Sequence, residues 1–167
     1  MKQQSLSIAL PEASDVLAAE ELVKLLNTLL EAERAGAKVL AAFLDEYTRG
    51  SDSWNQLHQL QQDEANNCAK LIDAIRSLGY KPSRSVGDFL DKALAIEGRA
   101  PRLTFLNRGQ GWVARKITEA LPRISPGPLR EMLDEMRESH IVNIGACDAL
   151  LLIIGDNVDK IEALHHI

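Results

Sequence analysis

Four segments of this chain repeat apolar residues at the i, i+3, i+4, i+7 spacing of an amphipathic helix, and the connections between them run short, long, short. From Val16 to Tyr47 the stripe is Leu22, Leu25, Leu26, Leu29, Leu30, Ala37, Leu40, Phe43 and Leu44, with Ser14 or Asp15 placed to cap its start and Arg49-Gly50-Ser51-Asp52 to end it. A second stripe, Trp54, Leu57, Leu60, Leu71, Ile75 and Leu78, stops at Gly79, and the few residues between the two force an antiparallel hairpin. Gly79 to Pro101 is of another kind. It holds Pro82, Gly87 and Gly98 around a short periodic piece, Phe89 to Ile96, and reads as a long crossover carrying a short helix. The third long helix is expected from about Arg102 to Leu121, with Leu106, Val113 and Ile117 on one face, before Pro122, Pro126, Gly127 and Pro128 break the chain. The fourth starts near Pro128 or Leu129 and carries Leu133, Met136, Ile144, Leu150 and Leu151 until Gly155-Asp156-Asn157 interrupts it.

That connectivity predicts an all-α antiparallel four-helix bundle with one long crossover, the layout of ferritin-like folds; an up-down bundle would have a short middle loop. Composition agrees. Leu (25) and Ala (20) supply much of the apolar content while aromatics are 4% of the chain, which favours helices over a sandwich or barrel. A length of 167 residues suits one domain, divided as an N-terminal extension (1–15), the bundle (16–155) and a C-terminal tail (156–167). A net charge of −5 without a dense basic block argues against binding nucleic acid. Cys68 and Cys147 lack the count and spacing of a disulfide scaffold or metal motif and read as buried thiols in a reducing compartment. Met1 to Leu10 is not a signal peptide, and the most apolar run, Ala149–Ile154, is far shorter than the roughly 20 residues that cross a bilayer. The expectation is a cytoplasmic protein with no membrane association.

In a bundle, chemistry is found where polar side chains intrude on the buried face, because an unpaired buried polar group costs about 1 to 3 kcal/mol. Glu33 lies three residues after Leu30 and seven from both Leu26 and Leu40, so it points inward, whereas Glu31 shares its face with Asn27, Ala35 and Lys38 and should be solvated. Glu64 is four after Leu60 and seven from Leu57 and Leu71, with Gln61 and Asn67 one turn either side. Gln110 sits between Leu106 and Val113. His140 is four from both Met136 and Ile144, with Asn143 beside it. A hydrogen-bonded layer that fixes register explains such groups as well as a site does, but each of the four helices contributes one near its middle, which favours a site or the remnant of one.

These residues carry a family resemblance. Asp63-Glu64-Ala65-Asn66-Asn67-Cys68-Ala69-Lys70-Leu71, followed by Ile75 and Leu78-Gly79-Tyr80-Lys81-Pro82, is similar to the second helix of the ferritin-like, rubrerythrin-type superfamily, which reads Glu-Glu-x-x-His and ends in Leu-Gly and a nearby Pro. The layout from about Val16 to Gly155 is similar throughout. More narrowly, the runs from Leu26 to Gly36 and from Met136 to His140 resemble a bacterial branch of ferritin-like domains that also occurs fused to ThiJ/PfpI-type domains. The resemblance implies a di-iron site with one Glu from the first helix, Glu-x-x-His from the second, one Glu from the third and Glu-x-x-His from the fourth. Carried over residue by residue, Glu33, Glu64 and His140 keep a ligand. Asn67 stands where the second helix should have His, Gln110 (or Asn107, one turn away) where the third should have Glu, and Arg137 three residues before His140.

Two iron ions bring about four to six positive charges, which two carboxylates beside a guanidinium do not offset, and Arg137 cannot coordinate. Glu138, two residues from His140, lies on the wrong side of its helix to replace it. The sequence therefore predicts no di-iron catalysis and no cofactor beyond at most one divalent ion on Glu33, Glu64 and His140. The main expectation is a polar layer of Gln61, Asn67, Gln110, Arg137 and Asn143 in which Arg137, or Arg34, pairs with Glu33 or Glu64 in place of metal. Gly109-Gln110-Gly111 is too short for a dinucleotide fingerprint, His58 shares no face with Glu64, and His165-His166 reads as solvated tail. The apolar run Ala149–Ile154 needs cover on a side that a bundle leaves open, which points to a homodimer. A non-catalytic binding or structural protein is the leading expectation, a mononuclear metalloprotein the alternative, and a small organic ligand in the polar cavity the third.

Overall fold

The structure, a computed structural model, describes residues 15–165, with side chains to residue 155. The described residues are all-helical: α1 (Ala19–Leu44), α2 (Asp52–Ser77), α3 (Phe89–Leu94), α4 (Arg99–Ala120) and α5 (Pro128–His165), with one 3-10 turn, Leu121–Arg123, between the last two. The expected N-terminal extension, apart from residue 15, and the end of the expected tail lie outside them.

Each long helix buries one stripe. On α2 it is Leu57, Leu60, Glu64, Asn67, Leu71 and Ile75; on α4 Leu103, Leu106, Gln110, Val113, Ala114 and Ile117; on α5 Leu133, Met136, His140, Asn143, Cys147 and Leu150. The steps of three and four residues are what keeps a row on one face of a 3.6-residue helix. These rows form two apolar clusters. One holds Leu26 and Leu30 of α1 with Ile75, Ile117 and Leu133, and the other holds Leu40 and Phe43 of α1 with Leu57, Leu106 and Leu150. The start of α1 thus lies with the end of α2, the end of α4 and the start of α5, so α1–α2 and α4–α5 are antiparallel hairpins packed on each other. The segment from Leu78 to Gly98 must then travel from one apolar cluster to the other.

It travels along α1. The Ser83 amide donates to Asn27 Oδ1 at 2.8 Å, and Arg34 donates to the Ser85 and Ser83 carbonyls at 2.8 and 3.0 Å. The Ser83 hydroxyl donates to Glu31. Glu31, expected in solvent, is half-buried for that reason. Further along, α3 approaches α4 closely: Phe89 stacks on Phe105 with ring centroids 4.8 Å apart, and a Cβ at Gly109 would lie 2.8 Å from the Phe89 ring. Only a glycine leaves that ring its place.

Three boundaries differ from the sequence reading. α1 begins at Ala19 rather than Val16, and its capping contact comes from Glu21, which accepts the Ala18 N–H at 3.3 Å, rather than from Ser14 or Asp15. α4 begins at Arg99, before Pro101, because the first turn of a helix has no N–H partner for proline to remove. α5 runs through Gly155-Asp156-Asn157 to His165. Glycine costs a helix about 1 kcal/mol but keeps its backbone hydrogen bonds, so Gly155 does not stop the helix.

Pro128–Gly155 of α5 contains a stretch of mean hydropathy 1.4, long and apolar enough to cross a membrane by length and composition alone, which the short run Ala149–Ile154 had not suggested. Only 22% of that stretch is buried in this fold. Ile141, Val142, Leu152 and Ile153 are exposed.

Candidate functional site

Among the described residues, the six buried polar side chains, Glu33, Glu64, Asn67, Gln110, His140 and Asn143, lie at the middle of their helices, between the two apolar clusters. Five of them form two hydrogen-bonded groups. In the first, Asn67 Nδ2 donates to Glu33 Oε2 at 2.9 Å, and His140 Nε2 lies 2.8 Å from Glu33 Oε1. In the second, Gln110 Nε2 donates to Glu64 Oε1 at 2.6 Å. Asn143 makes a longer contact, 3.5 Å, to Asp63 Oδ2.

The imidazole geometry fixes where protons lie. His140 Nδ1 is 2.8 Å from the Met136 carbonyl oxygen, which only accepts, so Nδ1 carries a hydrogen. Nε2 and Glu33 Oε1 would repel at 2.8 Å if both presented lone pairs, so a second proton sits between them. Burial pulls the His140 pKa down, but the hydrogen bond and charge of Glu33, with the Met136 carbonyl, outweigh it and the net shift is upward. The unit is therefore an imidazole–carboxyl pair sharing one proton, formally neutral, with a side chain at most 2% exposed on either half.

Glu64 has no such cation. Burial first, and then the charge of Glu33, push its pKa well above the usual carboxylate range, against a smaller lowering by the Gln110 amide. Its Oε2 and Gln110 Oε1 are buried without a partner in the protein. The carboxyl fits because residue 36 is glycine: a Cβ there would stand 1.8 Å from Glu64 Oε2. Gly36→Ala is expected to destabilise the protein by about 1 to 3 kcal/mol through this overlap, although alanine gains nearly 1 kcal/mol of helix propensity. In a Glu64→Ala background the same change should be neutral or stabilising. Urea unfolding of the four chains measures the coupling, and an equal effect in both backgrounds would show that the carboxyl is not what fills the space.

Glu33, Glu64, Asn67, Gln110, His140 and Asn143 thus come together, but the expected arginine pairing does not. Arg137 points outward, 25% exposed, and binds Asp134 at 2.6 Å and Glu138 at 2.9 Å, while Arg34 faces the crossover. A guanidinium taken inside would lose several kcal/mol of hydration, and both arginines have acceptors at the surface. Gln61 is half-exposed and joins none of these bonds. Asn107, the alternative third position, donates to the Ile144 carbonyl and to Asp148 and links α4 to α5. His58 stacks on Trp54, 4.7 Å between centroids. The side chains of His165 and His166 lie outside the described residues. Both thiols are free and pushed up to about 12 by burial, so neither is a nucleophile at ordinary pH.

Sequence reasoning missed Gly36. Its signal was a glycine inside a helix, one turn from Glu33, where alanine would otherwise be preferred. The polar cavity that the sequence suggested has about 500 Å3, opens between α1 and α4 beneath the crossover and reaches Glu33, Glu64, Gln110 and His140. Among the described residues, no three His, Cys, Asp or Glu side chains are arranged to hold a metal ion.

The fold and the site define an all-helical protein with a buried carboxyl–imidazole–amide layer beneath a cavity. Residues 20–149 match the family described as a domain of unknown function, DUF6306, and the chain belongs to it. No curated protein and no solved structure matches it.

Proposed function

We propose that this chain is a ferritin-like four-helix bundle whose di-iron-carboxylate site has degenerated into a metal-free polar layer, and that it works as a non-catalytic binding or structural homodimer. The two hairpins joined by a crossover that runs the length of the helices support the fold assignment. The observation that carries the functional reading is the Glu33–His140 pair. The Oε1 and Nε2 lone pairs that would face a metal hold one proton between them at 2.8 Å, while Asn67 and Gln110 spend amide hydrogens on Glu33 Oε2 and Glu64 Oε1. The residues present do not fit a pair of iron ions.

Full-length protein purified without an affinity tag is expected to contain well under stoichiometric iron, manganese and zinc, and to keep its melting temperature in chelator. Near-stoichiometric metal that disappears in His140→Ala would establish instead the mononuclear reading, with Glu33, Glu64 and His140 as ligands; that these three line one cavity favours it.

The homodimer reading rests on Leu152 and Ile153 of α5, 73% and 52% exposed, and two free thiols suit a reducing, cytoplasmic setting. Sedimentation equilibrium is expected to show a dimer that Leu152→Glu with Ile153→Glu converts to monomer. A wild-type monomer at micromolar concentration would exclude it.

A further inference from the structure

The cavity above the polar layer has about 500 Å3, within the roughly 300 to 1,000 Å3 of small-molecule sites. Ala32, Phe89, Phe105 and Val113 give it apolar walls, and Glu64, Gln110 and the Glu33–His140 pair lie at its floor. Glu33 is satisfied at both oxygens by Asn67 and His140. The other pair is not: Glu64 Oε2 and Gln110 Oε1 have no partner, on side chains only 4% and 2% exposed. With Gln110 donating to Glu64, the oxygen left on each is an acceptor for an incoming N–H.

Charge selects among ligands. The cavity is lined by the carboxylates of Glu31, Glu33, Glu64 and Asp88 against the fixed cations Lys92 and Arg108. Lys92 is already matched by Asp88 at 2.6 Å, and His140 by Glu33. No Lys or Arg among the described residues pairs with Glu64. We propose that the cavity binds a small organic ammonium compound, its N–H groups on Glu64 Oε2 and Gln110 Oε1 and its apolar body against Phe105 and Val113. The inference rests on the metal-free reading of the layer.

The charged groups around Glu64 are Glu33 from α1, Asp63 of its own helix, His140 from α5 and Arg108 of α4 at the cavity wall, and among the described residues none of them is ion-paired to it.

Isothermal titration of the untagged full chain with 2-phenylethylamine, 2-phenylethanol and 3-phenylpropanoate tests this. The amine is expected to bind at least about tenfold more tightly than the alcohol or the acid, and Glu64→Gln should remove that advantage. Equal binding of amine and alcohol, preference for the carboxylate, or no heat from any probe at millimolar concentration would overturn the inference. Should Glu64→Gln fail to fold, the wild-type series decides alone. Metal analysis of the same sample separates the two readings: bound metal in stoichiometric amount overturns the metal-free layer whatever the amine does, whereas a metal-free protein indifferent to the amine overturns only the ligand.

Discussion

Replacement of His140 by alanine is expected to lower the free energy of unfolding by about 3 to 5 kcal/mol, the usual effect of stranding one half of a buried ion pair. Glu33 would keep the Asn67 amide at 2.9 Å but lose its pairing with His140 at 2.8 Å, on a side chain 1% exposed. Restoring neutrality should recover part of the loss: Glu33→Gln with His140→Ala is expected to be less destabilised than the sum of the two single changes, with a coupling of about 1 to 3 kcal/mol. Guanidinium unfolding of the four chains gives the cycle. Additive single effects would mean that Glu33 and His140 do not share a proton.

Stability should fall as the pH rises, most steeply above about 6.5, and Glu64→Gln should remove part of that slope. Both shifted groups have folded-state pKa values above their unfolded ones, Glu64 through burial and the charge of Glu33, His140 through Glu33 despite burial. A group so shifted binds its proton more tightly in the folded state. Its stabilising contribution is complete below the unfolded pKa and disappears as the pH climbs through the folded one. Glu64 begins to contribute a loss above 4.5 and His140 above 6.5, each by up to about 1.4 kcal/mol per pH unit where only the folded form retains the proton. Glutamine at 64 still accepts from Gln110 and carries no proton to lose, so the variant should gain on wild type as the pH rises above 4.5. Parallel wild-type and Glu64→Gln curves of melting temperature against pH would show that Glu64 ionises as freely in the folded chain as in the unfolded one.

The polar layer was legible position by position because helix periodicity is a local property. Glu33, Glu64, Gln110 and His140 continue the rows that Leu30, Leu60, Leu106 and Met136 hold a turn earlier, and any folding of these stripes into one core must bring them inside. Their partners were not legible. Arg137 stands three residues before His140 and looks like the cation for two inward carboxylates, yet its guanidinium reaches Asp134 and Glu138 at the surface. The choice between arginine and histidine turns on the hydration each would lose inside the core, which depends on neighbours contributed by other helices. Glu31 and Arg34 went the same way: both looked like solvent or core groups on α1 alone, and both anchor a crossover fifty residues away in sequence.

The sequence by itself determined that the chain is helical, where its long helices start to within a few residues, and that Glu33, Glu64, Asn67, Gln110, His140 and Asn143 face inward, since the 3.6-residue repeat acts over single turns. It did not determine that Gly36 makes room for the Glu64 carboxyl, that His140 rather than an arginine neutralises Glu33, that α5 continues through Gly155, or where the cavity opens and what lines it. Those were decided by tertiary structure, because each is a matter of distance between atoms on different helices, or of how much water an ion gives up when the helices close around it.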